Sequence, residues 1–136
     1  MEALKSVDII SVVLVAVSSM VIGFVWYSNA LFAKMWQKEV GLKDSDIKGG
    51  PGIGYLLTTL TSLVMGTVMS LMVGYAQVNT LMGGLKLGAL IWVGFTGTAM
   101  AANYIFAKKS LKLFLIDSGY FLVSYLAAGA IVALRN

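Results

Sequence analysis

The sequence predicts an all-α membrane protein: four transmembrane helices, arranged as two tandem helical hairpins (a parallel pseudo-repeat) and packed as a bundle. Three observations predict it. Hydrophobic residues make up 59% of the 136 residues and charged residues only 12%, against roughly 45–50% and about 25% in soluble domains. The few charges leave long gaps between them. Matching fragments recur in the two halves of the chain. A water-soluble helical bundle would need polar faces that these runs do not have. At this length one domain, residues 1–136, is expected.

The gaps place the spans. No charge falls from Ile9 to Ala33, from Gly49 to Leu85, or from Leu87 to Ala107, and Leu113 to Leu134 is broken only by Asp117. A hydrocarbon core of about 30 Å needs about 20 helical residues. The runs therefore read as spans at 8–31, 53–78, 86–107 and 113–134. The first lacks the basic start and small-residue cleavage site of a secretory signal.

Lysines set the expected orientation. Lys34, Lys38, Lys43 and Lys48 lie between spans one and two, and Lys108, Lys109 and Lys112 between three and four, against Lys5, Lys86 and Arg135 on the other side. The positive-inside rule then makes the loops 34–50 and 108–112 cytoplasmic and puts both termini outside, in the cell (cytoplasmic) membrane. The net charge of +4 is carried by these short loops, so the expected partner is the lipid bilayer and not a nucleic acid.

The repeat sets "SNALFAK", 28–34, over "ANYIFAK", 102–108, with Gly23 over Gly97, and "GYLL", 54–57, over "GYFL", 119–122. Spans one and three then cross in the same direction, as in parallel repeats. Each Ala-Lys tail marks a helix end where lysine reaches the headgroups and meets the negative pole of the helix dipole. Trp26, Tyr27, Trp36, Tyr55, Tyr104 and Tyr120 fall near one membrane face, as an interfacial aromatic belt does.

Packing is expected through small residues, because apolar burial does not drive association within lipid. Thr58, Ser62, Gly66, Ser70 and Gly74 recur at every fourth position of span two and form one ridge. Span three offers Gly94, Thr98 and Ala102, span four Ser124 with Ala128 and Gly129 with Ala133, and span one Ser19 and Gly23. Such ridges serve a neighbouring span or a second copy of the chain equally well, so a homodimer stays open. In the loop "MWQKEVGLKDSDIKGG", 35–50, the apolar Trp36, Val40, Leu42 and Ile47 are expected on the membrane surface, Asp44 as a helix cap, and Gly49, Gly50 and Pro51 as the lead into span two.

Asp117, in "LFLIDSGYF", is the one acidic residue within a span. An ionisable group there is a functional candidate by default. It either pairs with Lys112 or Lys108 beside a helix N-terminus, or it serves a ligand. Its expected neighbours at equal depth are Tyr27 and Asn29 on span one, Tyr55 and Thr58 on span two, and Asn103 and Tyr104 on span three, together a polar pocket rimmed by aromatics. Asp8 reads as the cap of span one. The chain has no histidine and no cysteine, so no Ser–His–Asp, Cys–His or zinc arrangement exists. No enzyme activity, metal or cofactor is expected.

"GFVWYSNALFAKMW", 23–36, and "AKKSLKLFLIDSGYFLVSYLAAGAIVAL", 107–134, resemble the membrane family known as domain of unknown function 1761. The resemblance rests on a "WYS…LFGK.W" block, in which Ala33 stands here for the glycine, and a "LF.ID.GY" block. It implies a small prokaryotic protein of about four spans, with Trp26, Tyr27, Ser28, Asp117 and Tyr120 as key positions, and it carries no activity. The function expected is a small-molecule or lipid binding or transport module. Its candidate binding residues are Trp26, Tyr27, Ser28, Asn29, Tyr55, Asn103, Asp117 and Tyr120. The alternative is a structural or assembly protein packed against a partner.

Overall fold

The computed structural model describes residues 7–47 and 52–136, which are helix and turn with no strand. Lys5, Lys48, Gly49, Gly50 and Pro51, used above for orientation and for the start of span two, lie outside these residues. In chain order the helices are α1 (Ile9–Trp26), α2 (Ala33–Val40), α3 (Asp44–Ile47), α4 (Gly52–Tyr75), α5 (Leu81–Phe106) and α6 (Leu111–Arg135). A π-helical segment, Trp92–Gly97, interrupts α5. Helices α1, α4, α5 and α6 are each long and apolar enough to cross a membrane.

Local chemistry sets most of the ends. The Asp8 carboxyl accepts from the backbone N–H groups of Ile10 and Ser11 and from the Ser11 hydroxyl, capping α1. Thr80 and Ser110 cap α5 and α6 by accepting from Gly83 N and Leu113 N, each at 3.1 Å. Gly41, at φ +74°, closes α2 in the left-handed conformation that glycine adopts without steric cost. In the 35–47 stretch, Asp44 is the first residue of α3, and it is Asp46 that accepts from Lys43 N at 2.8 Å. Two ends differ from expectation. Helix α1 stops at Trp26, five residues short of 31, where the Ser28 hydroxyl takes the Val25 carbonyl. Helix α5 starts at Leu81, five residues before 86, so Lys86 lies inside it.

The two matching heptapeptides therefore differ in backbone. Residues 28–32 of "SNALFAK" form the turn between α1 and α2, whereas 102–106 of "ANYIFAK" close α5 as helix.

Helix α6 carries the packing, touching α1, α4 and α5. At the end away from Asp117, Val15, Met69, Val73, Ala128, Val132 and Ala133 form the buried core. The ridge on α4 is used within the chain: Ser62, Gly66 and Ser70 are buried, and a Cβ added at Gly66 would come within 3.2 Å of the Val12 backbone and of Val15 on α1. Thr58 is exposed at one end of that ridge, and Gly74 is half-buried at the other.

Span three corrects the expectation. Gly94, Thr98 and Ala102 face outward, and a Cβ at Gly94 would meet no atom within 4 Å. The close approach runs instead through Gly84 and Gly88. A Cβ at Gly84 would overlap the Gly129 carbonyl, and one at Gly88 the Tyr125 carbonyl. This is a small-xxx-small contact, in which backbones touch because no side chain stands between them. At the far end, Arg135 on α6 pairs with Asp8 at 2.9 Å and also donates to the Ser11 hydroxyl.

Two outcomes follow. Gly84→Ala puts a methyl group into the Gly129 backbone and is expected to cost about 2 kcal/mol or more, while Gly94→Ala leaves stability unchanged. Thermal unfolding of the two variants in detergent separates them. Asp8, which precedes the first spanning helix, has its carboxyl held down to about 2, first by the Ser11 hydroxyl and then by Arg135. A lowered carboxyl stabilises the folded state above the ordinary value of 3.8 and loses that contribution as pH falls through about 2. Wild type should melt above Asp8→Asn at pH 5, and the gap should close towards pH 2.

Candidate functional site

A carboxyl group six residues into a spanning helix must find hydrogen-bond partners, since hydrocarbon offers none. Asp117 finds two. Tyr27 Oη donates to Oδ1 at 2.8 Å and Tyr104 Oη donates to Oδ2 at 2.6 Å. Tyr27 follows the last residue of α1, and Tyr104 lies in the last turn of α5. One side chain thus ties the ends of two helices to a third. Lysine does not take this role: Lys112 pairs with Glu39 at 3.9 Å, the Ser110 hydroxyl also binds Glu39, and Lys109 Nζ stands 4.6 Å from the Tyr104 ring centroid.

Two indoles flank the carboxyl. Trp26 Nε1 donates to the Ile116 carbonyl at 2.9 Å and Trp92 Nε1 to the Ser118 carbonyl at 2.8 Å. Gly119 makes room for the Trp26 ring, which would stand 2.9 Å from a Cβ there. The π segment brings Trp92 and Tyr104 to one face. Twelve residues of ideal α-helix would leave them about 120° apart, and one extra residue absorbed in a wide turn reduces this to about 20°. The two blocks that carry the family resemblance are therefore each other's partners: Trp26 and Tyr27 meet Ile116, Asp117, Gly119 and Tyr120.

Beside this clamp lies an open cleft of about 340 Å³ between α1, α4 and α6. Helix α1 and its cap contribute Ser19, Met20, Gly23, Phe24 and Tyr27, α4 contributes Tyr55 and Thr58, and α6 contributes Tyr120. Phe24 and Tyr55 stack at 5.9 Å between centroids and form the outer lip, 60% and 56% exposed. Tyr27 and Tyr120 meet at 5.7 Å with planes tilted by 54°. Tyr120 Oη donates to the Ser19 carbonyl at 3.3 Å. Ser19 itself is 1% exposed and its hydroxyl has no hydrogen-bond partner. Ser18 and Ser70 donate to a carbonyl three or four residues back, whereas Ser19, like Ser124 on α6, does not.

Of the eight candidate residues, Trp26, Tyr27, Asp117 and Tyr120 come together in the clamp, and Tyr55 joins Tyr27 and Tyr120 along the cleft. The other three do not join them. Asn29 lies exposed in the turn after α1, Asn103 is exposed on α5, and Ser28 spends its hydroxyl on Val25 O. Asn29 and Asn103 were placed by equal depth, yet depth leaves the angle around the helix undetermined. Trp92, Ser19 and Phe24 belong to the arrangement without having been singled out for it. Trp92 was legible as an indole needing an acceptor in lipid, but the π turn that aims it leaves no sequence signal.

The family described as a protein of unknown function (DUF1761) matches residues 10–133. No curated protein and no solved structure matched.

The clamp predicts coupled energetics. Tyr27→Phe and Tyr104→Phe should each cost about 1–2 kcal/mol, by leaving one carboxyl oxygen unpaired. In an Asp117→Leu background both costs should fall close to zero. A double-mutant cycle on unfolding in mixed detergent measures this, and additive costs in both backgrounds would refute the clamp.

Proposed function

Because the chain belongs to the DUF1761 family, whose description carries no activity, we propose from the geometry that it is a membrane-embedded binding module. It takes a small amphipathic molecule into the cleft between α1, α4 and α6. The observation that carries this reading is the Ser19 hydroxyl, buried without a partner in the wall of an aromatic cleft. A buried polar atom left unpaired costs about 1–3 kcal/mol, and a polar group that reached this hydroxyl through a small shift of the wall would remove that cost. The lip of Phe24 and Tyr55 faces the lipid side, so the molecule enters laterally.

In the same reading the chain crosses the cytoplasmic membrane four times as two parallel hairpins, with the lysine-rich turns inside. Contacts of α1 with α4 and of α5 with α6 support the pairing of spans. Asp117, with both oxygens engaged, serves to shape the wall and not to contact the ligand directly. That same engagement favours a second reading, a structural or assembly protein whose family blocks exist to lock helices together. Crosslinking in native membranes separates the two: a stable hetero-partner supports the second.

Native mass spectrometry of the full chain, extracted in mild detergent, tests the binding reading. Wild type should retain a small adduct that Thr58→Phe, a cleft-filling change at an exposed position, loses. Ser19→Ala should weaken retention while leaving the melting temperature equal or higher, since it removes an unpaired polar group. Identical adducts in wild type and Thr58→Phe, or none in either, would end the proposal.

A further inference from the structure

Of the five hydroxyls that line the cleft, three have already spent their proton. Thr58 Oγ1 donates to the Gly54 carbonyl at 2.8 Å, Tyr27 Oη donates to Asp117, and Tyr120 Oη donates to the Ser19 carbonyl. Each of these hydroxyls has spent its one hydrogen and keeps only lone pairs to offer. Backbone N–H groups of the three wall helices are occupied within the helices, apart from their first turns. Ser19 Oγ has no partner, and Tyr55 Oη on the exposed lip donates to no other described residue. Three of the five hydroxyls that line the cleft thus offer only lone pairs, and a ligand that brings donors fits the wall best.

The apolar walls point the same way. Four aromatic rings, Phe24, Tyr27, Tyr55 and Tyr120, line one side or another of the cleft. Their faces are negative and attract a desolvated cation. The Asp117 carboxyl stands directly behind the Tyr27 hydroxyl. Among the described residues no lysine, arginine, aspartate or glutamate side chain lines the cleft itself. The described lysines of this end lie on α2, between α2 and α3, in the α5–α6 turn and at the start of α6. A cation that enters from the bilayer past Phe24 and Tyr55 does not need to pass them.

Resting on the binding reading above, we infer that the ligand class is an organic monocation bearing N–H donors, an alkyl- or arylalkylammonium. Its apolar body lies among the rings and its ammonium group faces Ser19, Thr58 and the hydroxyl oxygens of Tyr27 and Tyr120. An anion would face a wall with more lone pairs than protons and the negative ring faces, and a neutral alcohol would gain a hydrogen bond without the ring attraction.

Equilibrium dialysis of the full chain in a neutral detergent at pH 7 tests this with three probes of one shape: 2-phenylethylammonium, 2-phenylethanol and 3-phenylpropionate. Partition into protein-free micelles is subtracted. The ammonium is expected to bind at least about tenfold more tightly than either other probe, and Tyr55→Leu to weaken it at least about fivefold, in the range of a desolvated cation–π contact. Tyr55 is exposed and outside the Asp117 clamp, so an unchanged melting temperature verifies the fold of that variant. Equal or tighter binding of the alcohol or the carboxylate, no retention of the ammonium, or indifference to Tyr55→Leu would overturn the inference. The adduct comparison with Thr58→Phe decides occupancy whatever the charge. Thus an occupied cleft that prefers the alcohol sinks the charge assignment alone.

Discussion

A single carboxyl group in an apolar helix organises one end of this protein. Asp117 brings its own requirement for donors into an apolar helix, and the chain meets it with two phenols, one at the end of α1 and one on α5. Helices α1 and α5 are thereby tied to α6 at their C-terminal ends. The tryptophans on either side add the Ile116 and Ser118 carbonyls to the same tie. The segment from Ile116 to Tyr120 is in consequence held on both flanks, and the cleft beside it inherits a fixed wall. In lipid, where apolar burial contributes nothing to helix association, such polar ties and close backbone contacts do the work that a hydrophobic core does in water.

The two ends of the helices use opposite devices. Near Asp117 the spacing is set by large aromatic rings with polar tips, which hold helices apart and leave the cleft. Towards the other end, Gly84, Gly88 and Gly129 bring α5 and α6 into backbone contact, and small residues line α4 where it meets α1. Tight packing at one end and bulky spacers at the other make a structure that is closed below and open above. That shape, more than any one residue, leaves the cleft at the aromatic end. Helix α5 packs on α6 and exposes most of its remaining surface, with Phe106 88% exposed at its end. Its Gly94–Thr98–Ala102 stripe is exposed on the outside of the helices.

The resemblance of the two sequence blocks gains a physical meaning from their contact. Trp26 and Tyr27 need Ile116 and Asp117 as acceptors, and Gly119 is needed for the Trp26 ring to lie flat against α6. A family that retains one block has reason to retain the other. This accounts for four of the five key positions the resemblance suggested. Ser28, the fifth, closes the end of α1.

Composition and charge spacing determined the fold class and the approximate spans, because hydrocarbon imposes a length and an apolarity that can be counted along a chain. The nearness of Tyr27 and Tyr104 to Asp117 and the ridge from Ser62 to Ser70 were also legible, since depth and four-residue spacing follow from helix geometry alone, but not that the ridge meets α1 or that phenols in place of lysine hold the carboxyl. What the sequence could not decide was rotation. Asn29 and Asn103 share the depth of Asp117 yet face elsewhere, and Gly94 carries the same spacing as Gly84 and Gly88 yet looks outward. Helix α1 ended at Trp26 instead of continuing, and a π turn in α5 swung Tyr104 back towards α6. Depth is a property of one helix, whereas the angle it presents is settled only by what its neighbours can accept against it.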